Sequence, residues 1–288
     1  MRLTFCFFFL TIYLSAQVKG VVKDSVSGKP IPYVTISLEN QAKGTTSDEE
    51  GKFSINTQTG NLVFSAVGYH KKKVSITKEM NVFMQPKNYT LQDVVILNKL
   101  QTKTIEIGDY KNSIRQAFDN GPKIDAKFFP YLTKYKKTRF IKKITVYTDS
   151  QIDSAIVKMR LYSVDENGLP ASDLLQKDII VKPKKGIYRN LIDVSDYNLI
   201  FPKKGLFVAF EKLFIDKNKV EKTIIDQNTN TVKTQKIYYP FMLYNRIELS
   251  GIFTYYGGVW QKIEEKNNEN KMVVKPYFEP AITVFLSN

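Results

Sequence analysis

The feature that most restricts this chain is its punctuation. Apolar and polar residues alternate over short runs, and a cluster rich in Gly, Pro, Asn or Asp then breaks each run. "VKGVVKD", "IPYVTISLE", "GKFSI" and "LVFSAV" do this before residue 70, and "RFIKKITVYTD", "IVKMRLYSV", "GLFVAFEKL" and "GIFTYY" continue it later. A period of two sends successive side chains to opposite faces of an extended strand, so such runs build half-buried sheets. Turn signals every 8–12 residues or so point to stacked antiparallel sheets, and an all-β fold is expected. With 43% hydrophobic and 13% aromatic residues, the 288-residue chain carries enough apolar bulk for a sizeable core.

The start reads differently. Arg2 precedes an apolar run from Leu3 to Leu14, and Ser15-Ala16 offers small residues for cleavage before Gln17. Residues 1–16 are therefore expected to be a signal peptide, the run being shorter than the ~20 residues a spanning helix needs. The one cysteine, Cys6, lies inside it, so a processed chain has no disulfide, thiol nucleophile or thiolate metal site. The expected location is exported: periplasm, outer-membrane surface or secreted, with no transmembrane segment after cleavage. Lys and Arg outnumber Asp and Glu by 43 to 28, a formal charge of +15. Such a field attracts anionic partners such as lipopolysaccharide, acidic glycans or nucleic acid. The lysines are scattered, though (Lys71 to Lys73, Lys136-Lys137, Lys184-Lys185), as in a solvated shell, and an exported chain argues against nucleic acid.

The stretch "GTTSDEEGKFSI", residues 44–55, is the sharpest turn signal. Asp48 can accept from its own backbone two residues on, Gly51 can supply positive φ, and Phe53 and Ile55 share one face, so a hairpin is expected. A calcium loop on Asp48, Glu49 and Glu50 is the sharper alternative, but it lacks the spaced oxygen ligands of known loops.

Residues 18–97 resemble the carboxypeptidase regulatory-like domain, a transthyretin-like Greek-key β-sandwich. The resemblance is carried by Gly20-Val21-Val22, Gly28-Lys29-Pro30-Ile31, Thr45 through Phe53, Phe64 through Tyr69, and the ending Leu91-Gln92-Asp93-Val94-Val95. In Bacteroidetes-type bacteria such a module often precedes the plug of TonB-dependent transporters, so the resemblance implies an exported, non-catalytic unit. Peptidase chemistry finds no support in the residues. A zinc carboxypeptidase needs two His and a carboxylate around its metal, and the chain has one histidine, His70. The residues after the module are too few for a plug and a large barrel.

The expected organisation is a sandwich over 17–97, a polar connector over 98–110, and a jelly-roll-like sandwich of about ten strands over 111–288. Residues 110–120 fit either a helical stripe (Tyr110, Ile114, Ala117, Phe118) or an opening strand. The second unit resembles jelly-roll domains found behind regulatory-like modules in secreted flavobacterial proteins and, loosely, galactose-binding-like accessory domains. That resemblance carries no functional residues. Gly257-Gly258 has the composition of a tight hairpin turn.

Site chemistry is sparse: no catalytic residue, metal ligand or cofactor is assigned. Tyr255, Tyr256 and Trp260 flank that turn and could stack on a sugar, or they could fill the core. Asp149, Asp153, Asp165, Glu166, Asp193 and Asp196 read either as turn caps or as calcium ligands. The expected function is a non-enzymatic exported cell-envelope protein that binds a glycan or an outer-membrane protein partner. The alternative is a glycan-active enzyme with two carboxylates converging across a cleft.

Overall fold

A computed structural model describes residues 17–88, 102–108, 116–118, 121–225, 231–247, 252–263 and 277–288. The expected signal peptide and the Leu91–Val95 ending lie outside them. The chain is all-β, its helical pieces among the described residues being three short 3₁₀ turns. Among the same residues no helix is long and apolar enough to cross a membrane, which says nothing about strands.

The first sandwich faces two sheets. β1 (Gln17–Asp24) lies between β4 (Lys52–Asn56) and β7 (Glu79–Met84), antiparallel to the first and parallel to the second. The other sheet orders β3 (Gly44–Thr46), β2 (Thr35–Leu38), β5 (Asn61–Ser65) and β6 (Lys72–Ser75). The period-two pattern sets the core: Val18, Val22, Phe53, Ile55, Val82 and Met84 from one sheet meet Ile36, Leu38, Leu62 and Phe64 from the other. Phe53 and Phe64 bridge the sheets edge-to-face, with centroids 5.6 Å apart.

The acidic turn forms as its residues dictate, but it does not close a hairpin. Asp48 Oδ1 accepts from the Glu50 and Lys52 amides at 2.9 Å, and Gly51 adopts φ +71°. Yet β3 pairs with β2 while β4 pairs with β1, so the turn carries the chain from one sheet to the other. Ser47 causes the departure. It is fully buried, its hydroxyl donates to Ile31 O at 3.1 Å and accepts from Val34 N at 2.8 Å, and this ties the end of β3 to the entry of β2.

The second sandwich consists of two seven-stranded sheets. One orders β13 (Pro170–Asp173), β12 (Val157–Val164), β16 (Leu206–Lys212), β10 (Ile124–Phe129), β20 (Ile252–Tyr256) and β21 (Val259–Ile263), with β14 (Ile179–Val181) also on β12. The other orders β22 (Tyr277–Pro280), β19 (Phe241–Ile247), β11 (Phe140–Ser150), β23 (Ile282–Ser287) and β8 (Thr104–Ile107). β15 (Gly186–Asp193) joins it on β11, and β9 (Gln116–Phe118) on β19. β17 (Lys219–Ile225) and β18 (Val232–Tyr238) form a separate ribbon.

One segment differs from the sequence expectation, and one left open is partly settled. The connector over 98–110 contains β8, because the alternation of "TIEI" lets Ile105 and Ile107 pack on the sandwich core while β8 pairs with β23. Of the ambiguous segment, Gln116–Phe118 is extended and pairs with β19; residues 109–115 lie outside the described residues.

Between the two large sheets, Val157, Met159, Leu161, Leu206, Val208 and Phe210 meet Ile144, Val146, Ile282, Val284 and Leu286. The alternate residues of β12 and β16 therefore face the other way. In a lone antiparallel sandwich that face would be wet. Here the β3-β2-β5-β6 side of the first sandwich lies over it, and a site forms where the two meet.

Candidate functional site

Strand registry sets out the covered face row by row. Lys158 stands opposite Glu211, Arg160 opposite Ala209, and Tyr162 lies between Phe207 and Asp173. Lys158, Arg160 and Glu211 are each no more than 2% exposed. Isolated charges at that depth would be prohibitive, so their pairing decides whether the face can exist. Arg160 holds Asp173 in a fork, Nε to Oδ1 at 2.9 Å and Nη2 to Oδ2 at 3.0 Å, and its Nη1 donates to Glu211 Oε2 at 3.1 Å. Lys158 Nζ lies 3.4 Å from Glu211 Oε2 and 3.9 Å from Asp178 Oδ1. Burial pushes the Asp178 carboxyl up from its ordinary value.

The first sandwich completes this network. Lys158 donates to the Tyr33 carbonyl, the Thr35 hydroxyl donates to Glu211, and the Thr46 hydroxyl accepts from Phe214 N at 3.2 Å. At the β20–β21 turn, Gly257 O accepts from Asn40 N at 3.0 Å. The φ of Gly257 is +59°, and a Cβ there would stand 2.8 Å from Asn40 Cα, so the close approach requires glycine. The Gly257-Gly258 pair is the hairpin turn that its composition suggests, Tyr256 pairing with Val259 across it.

Beside the ion network, the two units leave a cavity of about 250 Å³. The first sandwich lines it with Ser65, Ala66, Tyr69, Lys71 and Lys87; the second contributes Ile124, Arg160, Tyr162, Ala171 to Asp173, Tyr255 and Trp260. Three rings pack against one another along one side at steep angles, Trp260 lying 5.2 Å from Tyr162 at 76° and 5.4 Å from Tyr255 at 58°, centroid to centroid. The Lys71 ammonium sits over the Tyr255 ring, 4.9 Å from its centroid. Lys71 as a residue is exposed, but its charged end turns inward; burial, followed by the nearby Arg160 charge, lowers its pKa. Tyr255 is 4% exposed and its hydroxyl has no hydrogen-bond partner among the described residues. Burial pushes its phenol up to about 12, so it stays a neutral donor.

Tyr255 and Trp260, directly opposite each other on β20 and β21, both line this cavity. Tyr256 falls at the alternate position and does not line it. The ring of Tyr255 also packs with Ile124, Ala126, Tyr162 and Phe207, so the same residue fills core and lines cavity. Sequence reasoning missed Lys71, Arg160, Asp173 and Glu211. The alternation in "VKMRLYSV" marks Lys158 and Arg160 as leaving the local core, but nothing local says a second unit covers them.

Two of the acidic candidates act locally. Asp165 Oδ1 accepts from the Asn167 and Leu169 amides at 2.8 Å, and Asp193 Oδ1 from Ser195 N at 2.9 Å, as turn caps do. Among the described residues no group of three or more His, Cys, Asp or Glu could hold a metal ion. His70 is exposed.

Residues 18–96 match the CarboxypepD_reg-like domain family. TonB-dependent receptor P3 of Formosa agariphila is 27% identical over 112 residues, 36% of this chain and 11% of the receptor. TonB-dependent receptor P26 of the same organism is 34% identical over 88 residues, 29% of this chain and 9% of the receptor. The chain thus spans about a tenth of the length of these curated relatives. A DUF3823 family protein from Bacteroides ovatus aligns with 67% of this chain and 96% of its own, at 8% identity and a TM-score of 0.20, too low to carry weight. The two-sheet unit that opens the described chain is a carboxypeptidase regulatory-like domain.

Proposed function

We propose that this chain is a non-enzymatic, exported cell-envelope protein whose two sandwiches together bind a glycan in the cavity between them. The buried Tyr255 hydroxyl carries the reading. A phenol held away from water without a partner costs about 1–3 kcal/mol, which a ligand hydroxyl or carboxylate in the cavity would offset. The half-buried Trp260 ring suits the C–H face of a sugar, and polar groups at the cavity edge would fix orientation. Envelope location draws on the similarity to TonB-dependent receptors, and on residues 1–16 acting as a removable leader. A glycan-active enzyme fits less well. The one carboxylate in the cavity lining, Asp173, is forked by Arg160, and Glu211 is held by Arg160, Lys158 and Thr35.

A glycan array probed with the full chain and three variants tests this. Tyr255→Phe and Trp260→Ala should lose signal while Tyr256→Ala keeps it. Unchanged signal in folded Tyr255→Phe and Trp260→Ala, or no glycan bound by the parent, would remove the reading. The location claim is checked by intact mass: the exported protein should begin at Gln17.

A further inference from the structure

Resting on the glycan reading above, we infer that the sugar is acidic: a uronic acid whose carboxylate is received by Lys71 and Lys87. The charges lining the cavity do not balance. Three cations, Lys71, Lys87 and Arg160, face one carboxylate, Asp173. Arg160 is already committed, its guanidinium holding Asp173 on two nitrogens and Glu211 on the third. The lysine on the same strand, Lys158, uses Glu211, Asp178 and the Tyr33 carbonyl. No acid is left for the remaining two: among the described residues neither Lys71 nor Lys87 has an ion-pair partner. The depressed pKa of Lys71 reports the same shortage, since burial comes first among its causes, and Arg160 and Lys87 outweigh Asp173.

A carboxylate answers each of these features. It offsets one of the two unpaired positive charges while accepting from both ammonium groups, and its second oxygen can accept from the Tyr255 hydroxyl in charge-assisted bonds. The sugar scaffold is favoured over a peptide by size and surface. A cavity of about 250 Å³ is smaller than the roughly 300–1,000 Å³ of sites that take larger ligands. The half-buried Trp260 ring provides a face for stacking, and Ser65 lines the opposite, first-domain side.

Calorimetric titration of the full chain decides it. The probes are glucuronate- and galacturonate-containing disaccharides, their neutral counterparts, and a short peptide with a free C-terminal carboxylate. Uronate should bind at least tenfold tighter than the neutral sugar, and raised salt should shrink that margin. Lys71→Gln and Lys87→Gln should each weaken uronate about tenfold and narrow its margin over the neutral sugar, with Lys71→Arg restoring most of the loss. Equal binding of acidic and neutral sugars would overturn the acidic assignment and leave the glycan reading standing. Peptide binding tighter than uronate would overturn the sugar assignment. Binding of neither sugar would overturn both.

Discussion

Glu211→Gln tests whether the ion network holds the two sandwiches together. The substitution keeps the shape of the side chain and an acceptor for the Thr35 hydroxyl, but removes the anion that two buried cations share. At 3.1 Å from Arg160 Nη1 and 3.4 Å from Lys158 Nζ, each attraction is worth on the order of 5 kcal/mol at an effective dielectric of about 20. Removing the desolvation cost of Glu211 itself returns several of these ~10 kcal/mol, so a net loss of about 3–5 kcal/mol is expected. That is a large share of the ~5–15 kcal/mol of a typical folded domain. Urea unfolding followed by fluorescence of Trp260, the single tryptophan, reports from the junction itself. With a slope of about 2 kcal/mol per molar, the midpoint should drop by roughly 2 M. Thr35→Val should cost about 1 kcal/mol and couple non-additively with Glu211→Gln, because the hydrogen bond crosses between the units. A loss below about 1 kcal/mol for Glu211→Gln would refute the reasoning, since the two cations would then be satisfied elsewhere.

The same geometry yields three further outcomes. Tyr255→Phe should leave stability unchanged or raise it by up to about 1 kcal/mol, because the lost hydroxyl has no partner; a drop beyond 1 kcal/mol on urea titration would show that it is bonded. Gly257→Ala should destabilise by more than about 1 kcal/mol and shift Trp260 emission, since its Cβ collides with the Asn40 backbone at 2.8 Å; unchanged emission and midpoint would contradict the close packing. Burial raises the Asp125 pKa above its ordinary 3.8, with hydrogen bonds from Thr254 and Tyr244 opposing the shift. The folded chain then keeps this proton to higher pH than the unfolded chain, so its contribution is fullest below 3.8 and declines as pH rises through the raised value. Asp125→Asn should flatten that decline in a series of unfolding curves, and an unaltered slope would place the titration elsewhere.

Much of the fold can be read from local pattern. Val157, Met159 and Leu161 alternate with Lys158, Arg160 and Tyr162, and the structure separates them onto two faces as a period of two requires. Asp48 and Gly51 dictate a turn, and a turn forms; whether it joins neighbours within a sheet or crosses between sheets depends on Ser47, whose partners are Ile31 and Val34. The site was legible only in its aromatic half. Tyr255 and Trp260 stand together because a two-residue turn fixes their register, which is local information. Lys71, Arg160 and Asp173 come from distant strands, and a polar alternate residue looks the same in sequence whether water or another domain covers it.

Because the cavity has walls from both units, it cannot travel with either. Grafting the regulatory-like module onto another protein would transfer Lys71, Lys87 and Tyr69 as ordinary surface residues, half of a cavity lining with nothing opposite. The remaining sandwich, expressed alone, would open Lys158, Arg160 and Glu211 to water, where their mutual attraction fades to that of a solvated ion cluster. The amino-terminal module thus behaves as insulation, setting the local dielectric of charges that belong to its neighbour.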